Sequence, residues 1–489
     1  MSDSNRRWYD GMVSTEDWWS VWLGLALFAA GFASIWGWDL VGWMVEPGTW
    51  AIGGPGHWLK MTGYADWPPL AGLVVTYLVF TVLVGLGAAA MRFDLRRFFA
   101  AWTALFALTW VLWIVGHEAH FAATVNKFDQ YGIGWGLSFG GGFSYILAVV
   151  VGLVLANFCK PVARFLREAA RPEWFIKVAI VFMGVKIGLK SMQAASSVFE
   201  LALASAAAAF VVYLLIWPVM YWAGRRLFKL PRDAAAVLSS GISICGVSAA
   251  IATGGAIRAR PTLPAAVAML IVVFAVFELL ILPGFYAAFF PHEPIVNGAA
   301  LGMTVKTDGA DAAAGGILNQ LMVADAANRG LDWSGGWILN AAIMTKLWID
   351  IFIGVWAFIL AVLWTRHVEG GAREAAVSKS EIWFRFPKFI LAYIVAWFAY
   401  LAIATLAPAL IGAASQGAEI VEGAMRHFFF MLTFVSLGLI TDFSKLRGMG
   451  RLAVFYGAGL IVFIAPLAYA VAWLFHHGMT PAALRVAGG

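Results

Sequence analysis

Long apolar runs, separated by short charged or proline- and glycine-rich breaks, recur along almost the entire chain. A run of about 20 apolar residues can cross a hydrocarbon core of roughly 30 Å as an α-helix, whereas a membrane β-barrel would show alternating segments of about 10 residues. The pattern therefore predicts an all-α polytopic membrane protein. The thirteen predicted membrane segments lie near residues 18–38, 68–90, 99–116, 143–158, 174–192, 198–223, 234–257, 265–290, 296–318, 336–364, 386–408, 421–441 and 452–475.

Composition supports this class. The chain has 489 residues, of which 62% are hydrophobic and 12% are charged, whereas soluble domains carry about 25% charged residues. The polar, acidic N-terminus does not resemble a cleaved signal peptide, so we expect the first segment to remain as an anchor. The two cysteines, Cys159 and Cys245, indicate neither a disulfide framework nor a metal site, and we expect no cofactor.

Basic residues cluster in alternate connections, which predicts the orientation of the chain. With a cytoplasmic N-terminus, the following residues fall on the cytoplasmic side: Arg92, Arg96, Arg97, Lys160, Arg164, Arg167, Arg171, Arg225, Arg226, Lys229, Arg232, Arg366, Arg373, Lys379, Arg385, Lys388, Lys445, Arg447 and Arg451. The positive-inside rule thus predicts a cytoplasmic N-terminus and an external C-terminus. It also explains the net charge of +6 without a nucleic-acid partner. Arg258 and Arg260 are exceptions, and they question whether the segment before them crosses simply.

The number of segments predicts an internal repeat. Ten segments follow the first three, and they divide into two groups of five, an odd number that would give the groups opposite orientations. Many secondary transporters have such inverted repeats, with substrate sites at broken helices near the midplane. We therefore predict three extra helices in 1–140, a first repeat in 141–290 and a second in 291–489. The N-terminal helices are expected to serve packing or homo-oligomerisation.

The stretch TVKTDGADAAAGG (304–316) places a lysine and two aspartates inside a predicted span. On a regular helix Asp308 and Asp311 share a face, and Lys306 points roughly 160° away from Asp308. The charges converge only if the helix is interrupted, which glycine permits. Ionisable groups at membrane depth cost about 2.5–3.5 kcal/mol each, which favours a functional site over the alternative of a structural ion cluster.

The stretch SSGISICGVSAAIATGG (239–255) is rich in small and hydroxyl residues. It predicts a discontinuous helix whose new N-terminus would offer backbone N–H groups to an anion, with Ser243 and Ser248 as added donors. Close packing of small residues between helices is the alternative.

Two further lysines lie in predicted spans. Lys346 and Asp350 are spaced i, i+4, and they form either a structural ion pair or part of the same polar centre. Lys186, between two glycines, either belongs to the site or extends its long side chain to the membrane interface.

Three stretches resemble one known family. GISICGVSAAIAT (241–253) and FVSLGLITDFSKLRGMGR (434–451) resemble signatures of the YeiH-like sulfate exporter family of bacterial inner-membrane proteins, and FMGVKIGL (182–189) is a weaker match. The resemblance covers roughly residues 143–475. It implies a multi-helix transporter-like fold in the inner membrane, with the C-terminus in the periplasm. Lys306 stands where the family usually has a histidine, so the family's substrate does not carry over directly.

Together these patterns predict a secondary transporter of a small anion, an oxyanion such as sulfate or a sulfonate, that works by alternating access and is coupled to H⁺ or Na⁺. An anion channel is the alternative. The absence of a P-loop argues against ATP-driven pumping by this chain, and an enzyme is not expected, because HEAH (117–120) lacks the spacing of the HExxH zinc motif. The predicted substrate-binding residues are Lys186, Ser243, Cys245, Gly246, Ser248, Lys306, Thr307 and Lys346, and the predicted ion-coupling residues are Asp308, Asp311 and Asp350.

Overall fold

The computed structural model describes residues 9, 11–123, 127–137, 142–257, 259–260, 262–333, 335–367, 383, 386–446 and 449–481. The helices are α1 (Glu16–Phe32), α2 (Pro69–Ala90), α3 (Leu95–Val115), α4 (Ala119–Ala122), α5 (Phe128–Tyr131), α6 (Gly142–Phe158), α7 (Lys160–Leu166), α8 (Pro172–Arg226), α9 (Arg232–Ser243), α10 (Val247–Ala256), α11 (Thr262–Phe289), α12 (Pro294–Thr304), α13 (Asp308–Asn328), α14 (Trp337–His367), α15 (Phe389–Leu406), α16 (Ile411–Ile420), α17 (Arg426–Ile440), α18 (Gly450–Gly459) and α19 (Ala465–His476). Two short strands, β1 (Val45–Glu46) and β2 (Lys60–Met61), pair in antiparallel fashion. Single π-helical turns join α16 to α17 and α18 to α19.

Eight helices among the described residues are long and apolar enough to cross a membrane, and the pair α6–α7, bent by 119°, makes a ninth. These nine coincide with nine of the predicted segments. The other four lie in the first half of α8, in α9–α10, in α12–α13 and in α14, which carry the charged and small-residue stretches. The all-α membrane class is confirmed, while the total of thirteen segments stays a prediction.

Helix α8 contains 55 residues where two separate segments are predicted. Ile180 in its first half lines a cavity with Ile343 of α14, and the ring of Phe210 in its second half lies 5.9 Å from that of Phe352, also in α14. Thirty residues of straight helix would separate Ile180 from Phe210 by about 45 Å, whereas positions 343 and 352 are only about 14 Å apart. Helix α8 is therefore not straight between these residues, and its two halves correspond to the two predicted segments.

Helices α9 and α10 form a re-entrant hairpin, called hairpin 1 below. Asp233 near the start of α9 lies 4.0 Å from Arg260, which follows α10. A β-carbon added at Gly241 of α9 would lie 3.5 Å from the β-carbon of Ala250 in α10. The two arms therefore run side by side, and both ends of hairpin 1 lie on the same side of the protein. We call this side, which also carries Arg225 and its basic neighbours, the basic side.

Helices α12 and α13 form a second re-entrant hairpin, hairpin 2. Arg329, which follows α13, bonds to the ring of His292 (3.2 Å) and donates to the carbonyl of Pro291 (3.3 Å), both of which precede α12. Within the hairpin, the amide of Asn297 lies 3.5 Å from the sulfur of Met322. Helix α11, with 28 residues and a length of about 42 Å, connects the base of hairpin 1 to the base of hairpin 2. The two hairpins therefore enter the membrane from opposite sides.

These hairpins correct the interpretation of segments 234–257 and 296–318 as simple crossings. Arg260 lies on the basic side and is no longer an exception, whereas Arg258 lies outside the described residues. The parity argument for two inverted groups counted each hairpin as one crossing, so it no longer holds. A hairpin followed by one long helix occurs twice, as 232–289 and again as 294–367.

The three N-terminal helices pack directly on the remaining helices. A β-carbon added at Gly417 of α16 would lie 2.0 Å from the carbonyl oxygen of Gly31 in α1, and Phe106 of α3 packs against Phe428 of α17 with ring centroids 5.4 Å apart. The described buried residues of the N-terminal helices and of the later helices form one continuous hydrophobic core. The division at residues 140 and 290 stays a prediction.

Candidate functional site

The tips of the two hairpins touch. The tip of hairpin 1 ends in Gly246, with φ +64° and ψ −99°, and the tip of hairpin 2 is the extended stretch 305–307. A β-carbon at Gly246 would lie 2.5 Å from the carbonyl oxygen of Lys306 and 2.7 Å from a methyl carbon of Ile271. The backbone conformation and the close approach both require glycine here. Both predicted helix breaks are thus present, and they lie against each other.

Lys346 of α14 binds both hairpins. Its ammonium nitrogen donates to the carbonyl oxygen of Ile244 at the tip of hairpin 1 (3.0 Å). It lies 3.8 Å from a carboxylate oxygen of Asp350 and 4.0 Å from one of Asp308, which begins the second arm of hairpin 2. These three charged side chains are at most 8% exposed. Lys346 therefore couples the tips of both hairpins to the long helix that follows hairpin 2.

Lys306 bonds within its own hairpin, hairpin 2. Its ammonium group donates to the carbonyl of Met303 near the end of α12, and the residue is only 1% exposed. Thr307 caps the start of α13, because its hydroxyl oxygen accepts the N–H of Ala310 (3.2 Å). The predicted convergence of Lys306 with the aspartates is thus only partly realised, since Lys346 makes the closer contact with Asp308.

The charges match the helix ends at the tips. A helix carries partial negative charge at its C-terminus and partial positive charge at its N-terminus. Lys346 and Lys306 lie at carbonyl ends of first arms, while Asp308 and Asp311 lie in the first turn of α13. The first turn of α10, in contrast, contains no acidic residue. The four charged side chains therefore stabilise three of the four helix ends that meet at the tips.

The aspartates are incompletely bonded. Within the described residues, one oxygen each of Asp308 and Asp311 and both oxygens of Asp350 are buried without a hydrogen-bond donor. They line a cavity of about 10 Å³ together with Lys346, which is roughly the space of one water molecule. The sulfur of Cys245 and one oxygen each of Asp308 and Asp350 lie within 4.8 Å of one another. A single small cation fits such donors, but it would compete with the ammonium group of Lys346.

One predicted residue bonds within its own helix, and the side chains of two others lie outside the described part of the structure. Ser243 is buried, and its hydroxyl donates to the carbonyl of Ser239 one turn earlier (2.5 Å), so its own helix uses this proton. Lys186 and Ser248 have helical backbones in α8 and α10, but their side chains lie outside the described part of the structure. Their roles stay predictions.

A buried acid borders the site, and the sequence could not pair it. Glu278 of α11 is 2% exposed and accepts a hydrogen bond from the hydroxyl of Tyr456 in α18 (2.8 Å). Its second carboxylate oxygen is buried without a hydrogen-bond donor among the described residues. The two residues are 178 positions apart, so no local pattern could have connected them.

A larger cavity of about 240 Å³, called the vestibule, lies farther along the same two helices. Its lining residues are Tyr145 of α6, Gly316, Asn319, Gln320 and Val323 of α13, Gly335, Gly336 and Leu339 at the start of α14, and Arg426 and His427 of α17. The small central cavity uses Asp308 and Asp311 of α13 and Ile343 of α14. Both cavities thus border α13 and α14, and the vestibule lies toward the base of hairpin 2, away from the basic side. Arg426 is not among the predicted site residues, although an arginine inside a predicted span is itself a signal of function.

These features define a class of protein, a polytopic α-helical membrane protein with a buried charged centre at the tips of two opposed re-entrant hairpins. Residues 141–457 match the sequence model of the family described as conserved hypothetical protein 698, and the chain belongs to this family. The match includes both hairpins, α14 and α17. It confirms the resemblance to the YeiH-like family.

The chain is similar to several proteins whose names describe only a membrane protein. It is 58% identical over 490 residues to a UPF0324 membrane protein of Nitrosomonas europaea, covering 99% of this chain and all of that relative. It is 29% identical to a UPF0324 membrane protein of Rhodopirellula baltica, covering 80% of this chain and 65% of the relative. An uncharacterized protein of Archaeoglobus fulgidus is 46% identical over 163 residues, covering 29% of this chain and 87% of the relative. No solved structure matches the chain.

Proposed function

We propose that this protein is a secondary transporter that moves a small anion, such as an oxyanion or a sulfonate, by alternating access in exchange or symport with H⁺ or Na⁺. The observation that carries the proposal is the contact between two opposed hairpin tips around buried lysines and aspartates. Each buried charge is costly in a membrane, and transporters place substrate and ion sites at broken helices near the midplane.

The charge balance favours a coupled cation at the centre. Lys306 and Lys346 oppose Asp308, Asp311 and Asp350, and Glu278 borders the same centre, so four acids face two bases. The carboxylates of Asp308 and Asp350 lie within 4.8 Å of each other, and the single ammonium group of Lys346 beside them balances only one of their two negative charges. A proton or a sodium ion would relieve this repulsion, and the size of the central cavity admits one such small species.

The arrangement of cavities supports access from one side at a time. The vestibule lies toward the base of hairpin 2, while on the basic side α1 and α8 are joined by an ion pair. There Lys177 lies 3.4 Å from Asp17, and Asp17 also accepts the backbone N–H of Lys388 (2.6 Å). With the basic side in the cytoplasm, as the positive-inside rule favours, the protein lies in the inner membrane with its vestibule facing the periplasm. Transport then requires the contacts of Asp17 to break.

Flux in proteoliposomes containing the purified full chain tests the proposal. We expect saturable uptake of labelled sulfate, phosphate or methanesulfonate that is stimulated by a proton or sodium gradient. Asp308→Asn should abolish the gradient-driven part, because it removes one of the charges that bind the cation. Asp325→Asn is the matched control, since Asp325 lies on the same helix with its side chain half-exposed and paired with Arg329.

The outcomes separate the function classes. The transporter is supported if the flux is saturable, if Asp308→Asn abolishes it and if Asp325→Asn preserves it. A non-saturating, ohmic anion current would instead identify a channel. Absence of flux for all three anions under either gradient, in protein that remains folded, would show that the proposal is wrong.

A further inference from the structure

The vestibule contains a concentration of polar groups that the charged centre does not use. Arg426 is only 5% exposed, and Asn319 is 9% exposed with a buried carbonyl oxygen that has no donor among the described residues. Gln320 lines the same space and makes no hydrogen bond within the described part of the chain. The vestibule therefore presents a buried cation together with two amide side chains.

Arg426 is held in place by its neighbours. Its Nε donates to the carbonyl of Glu422, and one terminal nitrogen, Nη2, lies 2.9 Å from a ring nitrogen of His427. The guanidinium carbon lies 5.3 Å from the ring centroid of Phe430, close enough for a cation–π contact. The carboxylate of Glu422 lies 3.6 Å from Nη2 and balances part of the charge. No described residue bonds to the other terminal nitrogen, Nη1, so a ligand can bind this end of the guanidinium group.

The local backbone supports this placement. The π-helical turn Val421–Met425 directly precedes Arg426, and such single turns recur at functional sites. Across the vestibule, Gly335 and Gly336 have φ values of +97° and +71°. Because they have no β-carbon, the chain can pass close to a bound molecule at this wall.

The sizes of the two cavities assign different ligands to them. The central cavity, at about 10 Å³, admits one water-sized species, whereas the vestibule, at about 240 Å³, admits a polyatomic anion. The free Nη1 of Arg426 carries two N–H groups that can donate charge-assisted hydrogen bonds to the oxygens of a carboxylate or oxyanion. Amide N–H groups can donate to the remaining oxygens.

We propose that the vestibule is the recognition site for the anionic substrate, a small oxyanion or carboxylate that accepts hydrogen bonds from Nη1 of Arg426 and from the side-chain amides of Asn319 and Gln320. The proposal rests on the function proposed above and locates its substrate. The anion then binds about 12 Å from the coupling carboxylates, since Asn319 follows Asp311 by eight residues on α13. Substrate and coupling ion thus occupy separate sites on one helix.

Thermal unfolding of the detergent-purified full chain tests this site. The probes are sodium sulfate, phosphate, methanesulfonate, acetate and succinate, each compared with sodium chloride at equal ionic strength. A ligand that binds the folded state raises the unfolding temperature according to its affinity and concentration. We expect at least one probe to stabilise the wild-type protein, and Arg426→Gln to require at least tenfold more of it for the same shift. Arg426→Lys should fall between the two, because it keeps the charge but loses the planar group whose other nitrogens hold Nη1 toward the vestibule.

Two further variants guard against a general effect of charge or folding. Arg97→Gln removes a cation whose side chain is 72% exposed, on the basic side, and should leave the response unchanged. Gln320→Leu removes a vestibule amide without breaking a described hydrogen bond, and it should weaken the response even if Arg426→Gln does not fold. If Arg426→Gln folds and responds to the anions as the wild type does, the proposal is overturned. If Arg426→Gln does not fold, an equal response in the wild type and in Gln320→Leu overturns it. A wild-type response to none of the five probes overturns it as well.

The flux assay distinguishes failure of this site from failure of the transporter. If Asp308→Asn abolishes flux while Arg426→Gln leaves the KM for the anion unchanged, the transporter stands and the vestibule site is wrong. If the anions bind in an Arg426-dependent manner without any flux, the site stands and the transporter is wrong.

Discussion

Replacing Gly246 by alanine should disrupt the contact between the hairpin tips. Gly246 has φ +64° and ψ −99°, a conformation that costs an L-residue about 1–3 kcal/mol. The added β-carbon would lie 2.5 Å from the carbonyl oxygen of Lys306, which is backbone and cannot rotate away. Overpacking of this kind costs about 1–3 kcal/mol. We therefore expect Gly246→Ala to lower the free energy of unfolding by about 2–6 kcal/mol and to abolish flux.

The assay is unfolding in mild detergent titrated with sodium dodecyl sulfate, followed by flux measurements on the reconstituted protein. Gly309→Ala is the matched control, because Gly309 lies in the first turn of α13 and its added β-carbon would meet its nearest neighbours at 3.6–3.8 Å. This variant should be neutral or up to about 1 kcal/mol more stable, since alanine favours helix over glycine. Equal stability and flux in Gly246→Ala and Gly309→Ala would refute the close contact of the tips.

Three other predictions follow from the site and its surroundings. Lys346→Gln should lower the free energy of unfolding by about 3–5 kcal/mol, because it leaves buried carboxylates uncompensated. Adding Asp350→Asn should restore part of this loss. A double-mutant cycle that shows no coupling between the two positions would contradict the pairing of Lys346 with Asp350. Tyr456→Phe should cost about 1–3 kcal/mol by removing the hydrogen bond to the buried carboxylate of Glu278, measured by the same titration. Burial lowers the pKa of His117, which lies outside the membrane-spanning helices, so the folded protein holds its ring neutral. The free energy of unfolding should therefore fall as the pH drops below about 6.5, because the ring gains a proton more readily in the unfolded chain. His117→Gln should flatten this part of the profile of stability against pH.

The sequence carried the fold class and the helix breaks because both depend on local pattern. Apolar runs reveal helices, and the position of Lys306 relative to Asp308 requires an interruption that the structure contains at 305–307. The reversal of direction at each break was not predictable, because an apolar segment that passes through the membrane and one that turns back have similar composition. Only the basic residues after α10 indicated it, and Arg260 lies beside Asp233 for this reason.

The partners within the site were harder to predict because they lie far apart along the chain. Lys346 and Asp350 are one helical turn apart, so their pairing is visible in the sequence. Asp308 reaches Lys346 only because α13 packs beside α14, and helix packing leaves no periodic signature in either segment. The sequence predicts that Ser243 binds a ligand, because its hydroxyl lies in a glycine-rich stretch. Instead, this hydroxyl donates to a carbonyl within its own helix.

The opposed entry of the hairpins determines the order in which the chain can assemble. A lysine or an aspartate costs about 2.5–3.5 kcal/mol at the centre of an inserting helix, so the tip that contains Lys306 and Asp308 is not a segment that inserts readily alone. Its partner tip at Gly246 lies on the far side of α11, which must already cross the bilayer for the two to meet. We therefore expect the apolar helices to insert into the membrane first. The hairpins then move from the aqueous interface into the bundle that these helices have already formed. Correct insertion of α11 thereby becomes a checkpoint of biogenesis.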